Sequence, residues 1–432
     1  LLAARKRHAE YFRPWARQQV EGLNHDLAHR CLHRLRYEVD NLVAAFETSI
    51  EHNPSSAMPL AEAIERVYFA NGWFQGNVEI MEALIPVSDV LSKDDLCSLY
   101  HLLGRNHQTQ GHHEAEQRAK RALKTLIQDE PDHPKNVSVL IAQTNHLTRL
   151  GQHGEASDRL QAFLTQRPEL SAAEQCSVHA KLGLIRYMLQ DLPTAAAHLE
   201  HAITLAKGNV DQSWRSSLTA NLGAIYIALG EIKLGQKHLQ YALTQHEKFG
   251  NRSSVAIALV NLAQADLRLK EPQHAAIKLQ RAIALIRDSR RVSVLVEAMM
   301  VLVTAHAIAG EMEAAFDALE QARIACRDES LHLALVQALE AALLAANGDN
   351  EAAASLWAKS APEITPMAVL NDAQWQTLGH AHLDLKQASK LFKNPTFCVP
   401  RHPHECPTEE VSGREYHHLH ILILEHRVAA NT

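Results

Sequence analysis

Aromatic residues are scarce, at 5% of 432 residues, although hydrophobic residues as a whole reach 46%. Ala and Leu supply much of that fraction. β-Sheets draw on β-branched and aromatic side chains, so this composition favours close-packed helices instead. No apolar run approaches the roughly eighteen residues of a membrane span, so no membrane contact is expected. Charge is not one-sided either: the formal net charge is −6, which argues against direct nucleic-acid contact. The N-terminus, Leu1 to Glu10, is basic and polar and lacks a signal-peptide core. It also lacks an initiator Met, which leads us to expect a piece of a longer protein. Cysteines are few and scattered (Cys31, Cys97, Cys176, Cys326, Cys398, Cys406), and four sit singly in helical patterns. Buried, inert thiols in a reducing cytoplasm fit that distribution.

What the chain does have is a period. Turn positions fall at Gly111, Gly151, Asp191, Gly230, Lys270, Gly310 and Gly348, at intervals of 40, 40, 39, 40, 40 and 38 residues. A helical pattern of about fourteen residues precedes each turn and another follows it. The second helix of each unit carries a small, a large and a small residue spaced by four and three. These are Ala195, Leu199, Ala202; Gly235, Leu239, Ala242; Ala275, Leu279, Ala282; and Ala315, Leu319, Ala322. The first set, Ala156, Leu160 and Phe163, ends instead on a large residue. Such spacing puts the three side chains on one helix face. The preceding helix repeats Leu103-Gly104, Leu182-Gly183 and Leu222-Gly223, with Leu262-Ala263 keeping the size. Gly inside a helix costs about 1 kcal/mol relative to Ala, so its return at one register implies close helix packing. The turn glycines have another reason, the left-handed conformation that ends a helix.

These motifs resemble the tetratricopeptide repeat, whose Leu-Gly-x-x-Tyr element stands here as Leu222, Gly223 and Tyr226. The resemblance covers about residues 58–390 and is strongest over 177–325; Thr144 and Ala341 replace the first-helix Gly at the two ends. It implies an all-α fold, a right-handed superhelical solenoid of about eight helix pairs. It also implies a concave face lined by the first helix of each pair. On that face Asn221 and Asn261 take the position that hydrogen-bonds an extended peptide backbone in peptide-binding members. Lys181 holds the equivalent place one repeat earlier, with Tyr187, Gln264 and Arg268 nearby. An amide offers both donor and acceptor, which a peptide backbone needs. The plainer reading is that Asn before Leu-Gly bonds between neighbouring repeats.

A second resemblance lies at the N-terminus. "RHAEYF" (Arg7 to Phe12) and "YEVDNLVAAF" (Tyr37 to Phe46) resemble a paired signature of STAND-type ATPase regulators. That class includes SARP-type, LuxR-type and maltose-activator-like proteins with repeats of this forty-residue length. "VYFANGWFQGNVEIMEALI" (Val67 to Ile85) is similar to the first hairpin of their helical arm, through Gly72 and Gly76. Tyr11, Phe12, Trp15, Leu42 and Phe46 would cap the apolar end of the solenoid. The implied organisation is a helical cap or linker over 1–57, repeats over 58–392 and a Pro- and His-rich tail over 393–432. The implied role is a non-catalytic sensor and interaction arm in the cytoplasm. It would bind a protein or peptide partner, or a small effector, and control an upstream ATPase domain of the same polypeptide. A constitutive scaffold attached to a kinase or cyclase is the alternative.

Chemistry of the chain's own is not expected. "GEIKLGQK" (Gly230 to Lys237) approaches a phosphate loop, but Gln236 stands where Lys is required and a helix pattern precedes it. The chain contains no H-E-x-x-H and no G-x-S-x-G. Four Pro between Pro395 and Pro407 end the helical pattern, and Tyr416 to Val428 suits either a strand or a short helix. Cys398, His402, His404 and Cys406 could supply a tetrahedral zinc set, but their spacing departs from the usual ligand pattern and a solvated loop is the simpler account. No metal and no cofactor are expected. Elemental analysis of the purified protein checks this: zinc well below one equivalent is the expected result, and stoichiometric zinc would refute it.

Overall fold

The computed structural model describes residues 1–356 apart from 26–27, 111, 131–132, 134, 288–291, 327–329, 350 and 354. The turn at Gly111, the repeat residues beyond 356 and the whole tail with its Cys398–Cys406 cluster lie outside the described residues. Among the described residues all regular structure is helical. α1 (Leu2–Gly22), α2 (Ala28–Tyr37) and α3 (Val39–His52) come first. Helix pairs follow: α4 (Met58–Asn71) with α5 (Phe74–Glu82), α6 (Lys93–Thr109) with α7 (His113–Leu126), and α8 (Lys135–Arg149) with α9 (His153–Gln166). Next come α10 (Ala172–Met188) with α11 (Leu192–Leu205), α12 (Gln212–Ala228) with α13 (Ile232–Lys248), and α14 (Arg252–Arg268) with α15 (Pro272–Ile286). The last are α16 (Val292–Ala309), α17 (Met312–Ala325) and α18 (Ser330–Ala346). First helices begin at 172, 212, 252 and 292, forty residues apart at each step. None of the described helices is long and apolar enough to cross a membrane.

Local signals account for the helix ends. Ser171 and Glu174 form a reciprocal capping box at α10, and Ser92 caps α6 by accepting the Asp95 amide. Gly230 (φ 87°) and Gly310 (φ 80°) supply the left-handed turn that lets the chain reverse. One turn position differs from the sequence reading. Gln190, not Asp191, takes the left-handed conformation (φ 59°), whereas Asp191 caps α11 by accepting the Thr194 amide. Lys270 is also left-handed (φ 63°), so two turns in the series do without Gly.

The described residues form two compact units, the first of 1–148 and 152–258, the second of 149–151 and 259–356. Within the first, α1, α3 and α4 share one core with Phe12, Leu42, Phe46 and Ile64, and Trp15 packs against it. Tyr11 does not join that core: it is 64% exposed, because it lies on the opposite side of α1 from buried Ala9, Phe12 and Ala16. The α4–α5 hairpin expected through Gly72 and Gly76 is present, with Gly72 as the left-handed cap of α4. Gly76 lies under the Tyr68 ring. In the second unit, Ala275, Leu279, Ala282, Ala315, Leu319 and Ala322 are all buried.

Helix packing is tightest where the sequence repeats Gly. A Cβ on Gly235 would lie 2.6 Å from the Gly223 carbonyl oxygen, and one on Gly223 would lie 2.9 Å from that of Gly235. At Gly183 it would meet Leu199 Cγ at 2.9 Å and the Ala195 carbonyl at 3.1 Å. α12 is consequently covered on several sides, burying eleven of its seventeen residues against five of seventeen in α13. Gly104 is different, since the nearest atom is the flexible Lys120 Cγ at 3.3 Å. Gly223→Ala and Gly235→Ala should therefore each destabilise by about 1–3 kcal/mol, because the clash outweighs the ~1 kcal/mol helix-propensity gain. Gly104→Ala should be neutral or slightly stabilising. Urea unfolding of the three variants checks the order; equal effects at Gly104 and Gly235 would refute the backbone-contact assignment.

Candidate functional site

Within the first unit the N-terminal helices also touch its later connectors. Arg36 at the end of α2 donates from Nη1 to the Phe249 carbonyl (2.6 Å) and from Nη2 to that of Gly250 (3.1 Å). Those carbonyls lie just past the C-terminus of α13, where partial negative charge collects and a guanidinium is favoured. The Leu23 carbonyl accepts the Gln212 amide at 3.3 Å, and Phe249 shares the core of Leu32 and Leu35. Gly250 is required at this clamp: it is left-handed (φ 58°), and a Cβ there would lie 2.6 Å from Arg36 Nη1.

A cavity of about 180 Å³ opens beside this junction. Its wall is drawn from α4, α6, the start of α8 and the connector before α12, and carries Glu62, Glu65, Arg66, His101, Arg105, Lys135 and Asp211. Arg105 and Glu65 are buried and paired through Nη2 and Oε1, and the Arg105 guanidinium lies 4.7 Å from the Phe69 ring centroid. Glu65 Oε2 is buried and has no hydrogen-bond partner among the described residues. Burial lowers the Arg105 pKa to about 10, against the pull of Asp211 and Glu62, and it remains a cation. Lys135 is lowered by burial too, while Glu62 favours its charge. His101 is pushed well below its ordinary range by burial and then by Lys135, Arg66 and Lys120, so it is neutral at pH 7. Asp211 accepts the Ser213 amide at 2.6 Å; burial raises its pKa, and Arg66 acts against that rise.

The residues singled out from the sequence fall in several environments. Asn221 on α12 is 3% exposed, and its amide makes no hydrogen bond with any described residue. The inter-repeat bond that the plainer reading requires is therefore absent among the described residues. Asn261 on α14 is 5% exposed and likewise makes no side-chain hydrogen bond with a described residue. Lys181 is fully buried; burial first, and then the Lys181 charge, lowers the His153 pKa. Tyr187 is half-buried and Arg268 is exposed. Gln264 donates to Glu297 at 3.5 Å. The Tyr226 hydroxyl donates to Glu200 and its ring stacks on His238.

Two groupings escaped the sequence reading. His179 on α10 meets His198 and His201 on α11, with Nδ1 of His179 and His198 3.0 Å apart. Burial first, then the neighbouring imidazoles, lowers the His179 pKa to about 4. Among the described residues no group of three or more His, Cys, Asp or Glu is arranged to hold a metal. In the second unit Glu297 on α16 is 3% exposed; burial raises its pKa to about 8, with the Gln264 hydrogen bond acting in the opposite direction.

A tetratricopeptide-repeat family model matches residues 215–288, the run from α12 through α15. No curated protein matches the chain. The fold is the tetratricopeptide-like helical solenoid, which solved structures share at low identity. The APC/C hetero-tetramer Cut9-Hcn1 aligns at TM-score 0.54 and 16% identity over 82% of this chain and 63% of the other. A Rap protein complexed with competence and sporulation factor aligns at TM-score 0.52 and 10% identity over 78% of this chain and 98% of the other. This chain thus spans less than two thirds of the length of the first.

Both groupings predict pH-dependent stability. Between pH 6.5 and about 4 the unfolded chain protonates at His179 before the folded one, so stability falls as pH falls. His179→Gln should flatten that slope by on the order of 1 kcal/mol, a figure reduced for the half-exposed ring. Glu297 works in the opposite sense: from pH 4.5 to about 8 the folded state holds the extra proton, so stability falls as pH rises. Glu297→Gln should gain on the order of 1–3 kcal/mol at pH 8 relative to pH 5. Urea unfolding across pH measures both, and slopes unchanged by the substitutions would refute the assignments.

Proposed function

We infer that this chain is a non-catalytic sensor and interaction arm whose first-helix face binds a peptide segment of a partner protein. Through that binding it controls an ATPase or output domain elsewhere in the same polypeptide. The observation that carries the binding role is Asn221, nearly buried on α12 with an amide that no described residue satisfies. Its amide keeps some access to solvent, so a partner can reach it, and polar groups on such a helix otherwise bond within the protein. Its Ser and Thr neighbours illustrate the norm: Ser216, Ser217 and Thr219 each donate to the carbonyl four residues back. An extended backbone laid along α12 would offer both the acceptor and the donor that Asn221 lacks. The peptide-bearing Rap protein of similar fold supports the reading by analogy.

The regulatory part rests on the paired N-terminal motifs and on the Arg36 clamp. A contact made by two guanidinium hydrogen bonds and one apolar core is an element whose closure a ligand could bias. Encoded sequence adjoining Leu1 that carries a phosphate loop and a winged helix supports this part, and a kinase signature there overturns it in favour of a scaffold.

Asn221→Ala tests the binding role. With no internal hydrogen bond to lose, the variant should keep its urea midpoint within about 0.5 kcal/mol. Its affinity for peptides selected on the native protein from a random library should fall about tenfold, the loss of one to two hydrogen bonds. Unchanged peptide affinity, or a loss of stability, would overturn the assignment.

A further inference from the structure

The charged cavity lies apart from Asn221, and the peptide-binding role uses none of its residues. We propose that it is a binding site for a free α-amino acid in zwitterionic form, its ammonium held by Glu65 and Glu62 and its carboxylate by Arg66 and Lys135. This deepens the sensor reading by naming a small effector, and it rests on that reading only for its regulatory consequence.

Size comes first. At about 180 Å³ the cavity falls below the roughly 300 Å³ at which pockets for drug-sized ligands begin, so the occupant is small. Charge comes next. Three carboxylates (Glu62, Glu65, Asp211) face the same space as three cationic groups (Arg66, Arg105, Lys135), a formal sum of zero. A bare metal cation would meet the guanidinium and ammonium groups, and a simple anion would meet the carboxylates. A ligand carrying both signs a few bonds apart satisfies both walls without importing net charge into a buried site. Leu102 and Val210 add a short apolar stretch of wall suited to a modest side chain.

The unmet atom points the same way. Arg105 occupies Oε1 of Glu65, while Oε2 of that fully buried side chain has no donor among the described residues. An ammonium brings three N–H donors, the chemistry that this acceptor lacks. Arg105, fixed by Glu65 and by the Phe69 ring, serves as a rigid wall that holds the acceptor in place.

Position supplies the consequence. Asn24 beyond α1 and the Asn209–Asp211 connector border the same cavity as α4, α6 and the start of α8. A molecule seated there bridges the segments that the Leu23–Gln212 hydrogen bond already joins. Ligand that binds the closed arrangement better than the open one stabilises it by mass action.

The test is thermal denaturation and titration calorimetry of this chain with each of the twenty L-amino acids at millimolar concentration. The best binder is then compared with its methyl ester and its N-acetyl derivative. The expected result is a saturable rise in melting temperature with at least one amino acid of uncharged side chain, and at least tenfold weaker binding of both derivatives. Lys135→Met and Glu62→Gln should each weaken the amino acid at least tenfold and leave the affinity of Asn221-dependent peptides unchanged. Should a variant fail to fold, the ester and N-acetyl arms still decide. No shift with any of the twenty, or derivatives that bind as well as the parent, would overturn the proposal. Peptide binding lost to Asn221→Ala alongside silence in the amino-acid series leaves the sensor reading standing and removes only this site. Amino-acid binding without any Asn221-dependent peptide does the reverse.

Discussion

Two helix backbones in contact, Gly223 against Gly235, set the spacing on which the surrounding structure depends. At that separation Leu239 fills the space between α12 and α13, and Leu199 does the same for α10 and α11 beside Gly183. Each pair has an apolar face that it cannot bury alone, so the next pair forty residues on must cover it. Stability in such an array is carried by neighbours, and a side chain too large at the contact disturbs the stacking as well as its own helix.

Because the first helices are covered on several sides, every polar group on them faces a strict choice. Ser216, Ser217 and Thr219 bond back to their own helix, and Asp266 pairs with Lys278. Asn221 and Asn261 do neither. The same logic applies to the cavity beside the Leu23–Gln212 hydrogen bond. Glu65 and Arg105 neutralise one another there, because an unpaired charge at that depth would cost several kcal/mol, yet the pairing leaves one carboxylate oxygen without a donor. Polar groups left open in otherwise satisfied surroundings are where a ligand gains most.

Much of the scaffold was legible because its signals are local. The forty-residue spacing, the Leu-Gly register and the small-large-small triplets mark the helices and their contacts without reference to distant residues. The exceptions share one cause. Gln190 takes a left-handed turn without Gly, a conformation its side chain does not signal. Tyr11, quoted within an apolar motif, points outward because the side of α1 that carries Ala9, Phe12 and Ala16 meets the core. Tyr226, the aromatic of the Leu-Gly-x-x-Tyr element, meets Glu200 and His238 on the neighbouring second helices, partners that no local pattern names.

The sequence by itself determined that this chain is an all-α repeat, where its helices turn and which small residues let them touch. Helix periodicity and left-handed glycine are properties of a few adjacent residues, so they can be read along a line. Only the tertiary structure decided which charges meet. Glu65, Arg105, Lys135 and Asp211 are separated by 40, 30 and 76 positions and gather only when the N-terminal helices fold against the connector before α12. The same holds for His179 with His198 and for Glu297 with Gln264. No local pattern encodes such encounters, because they follow from how the pairs stack and not from any one helix.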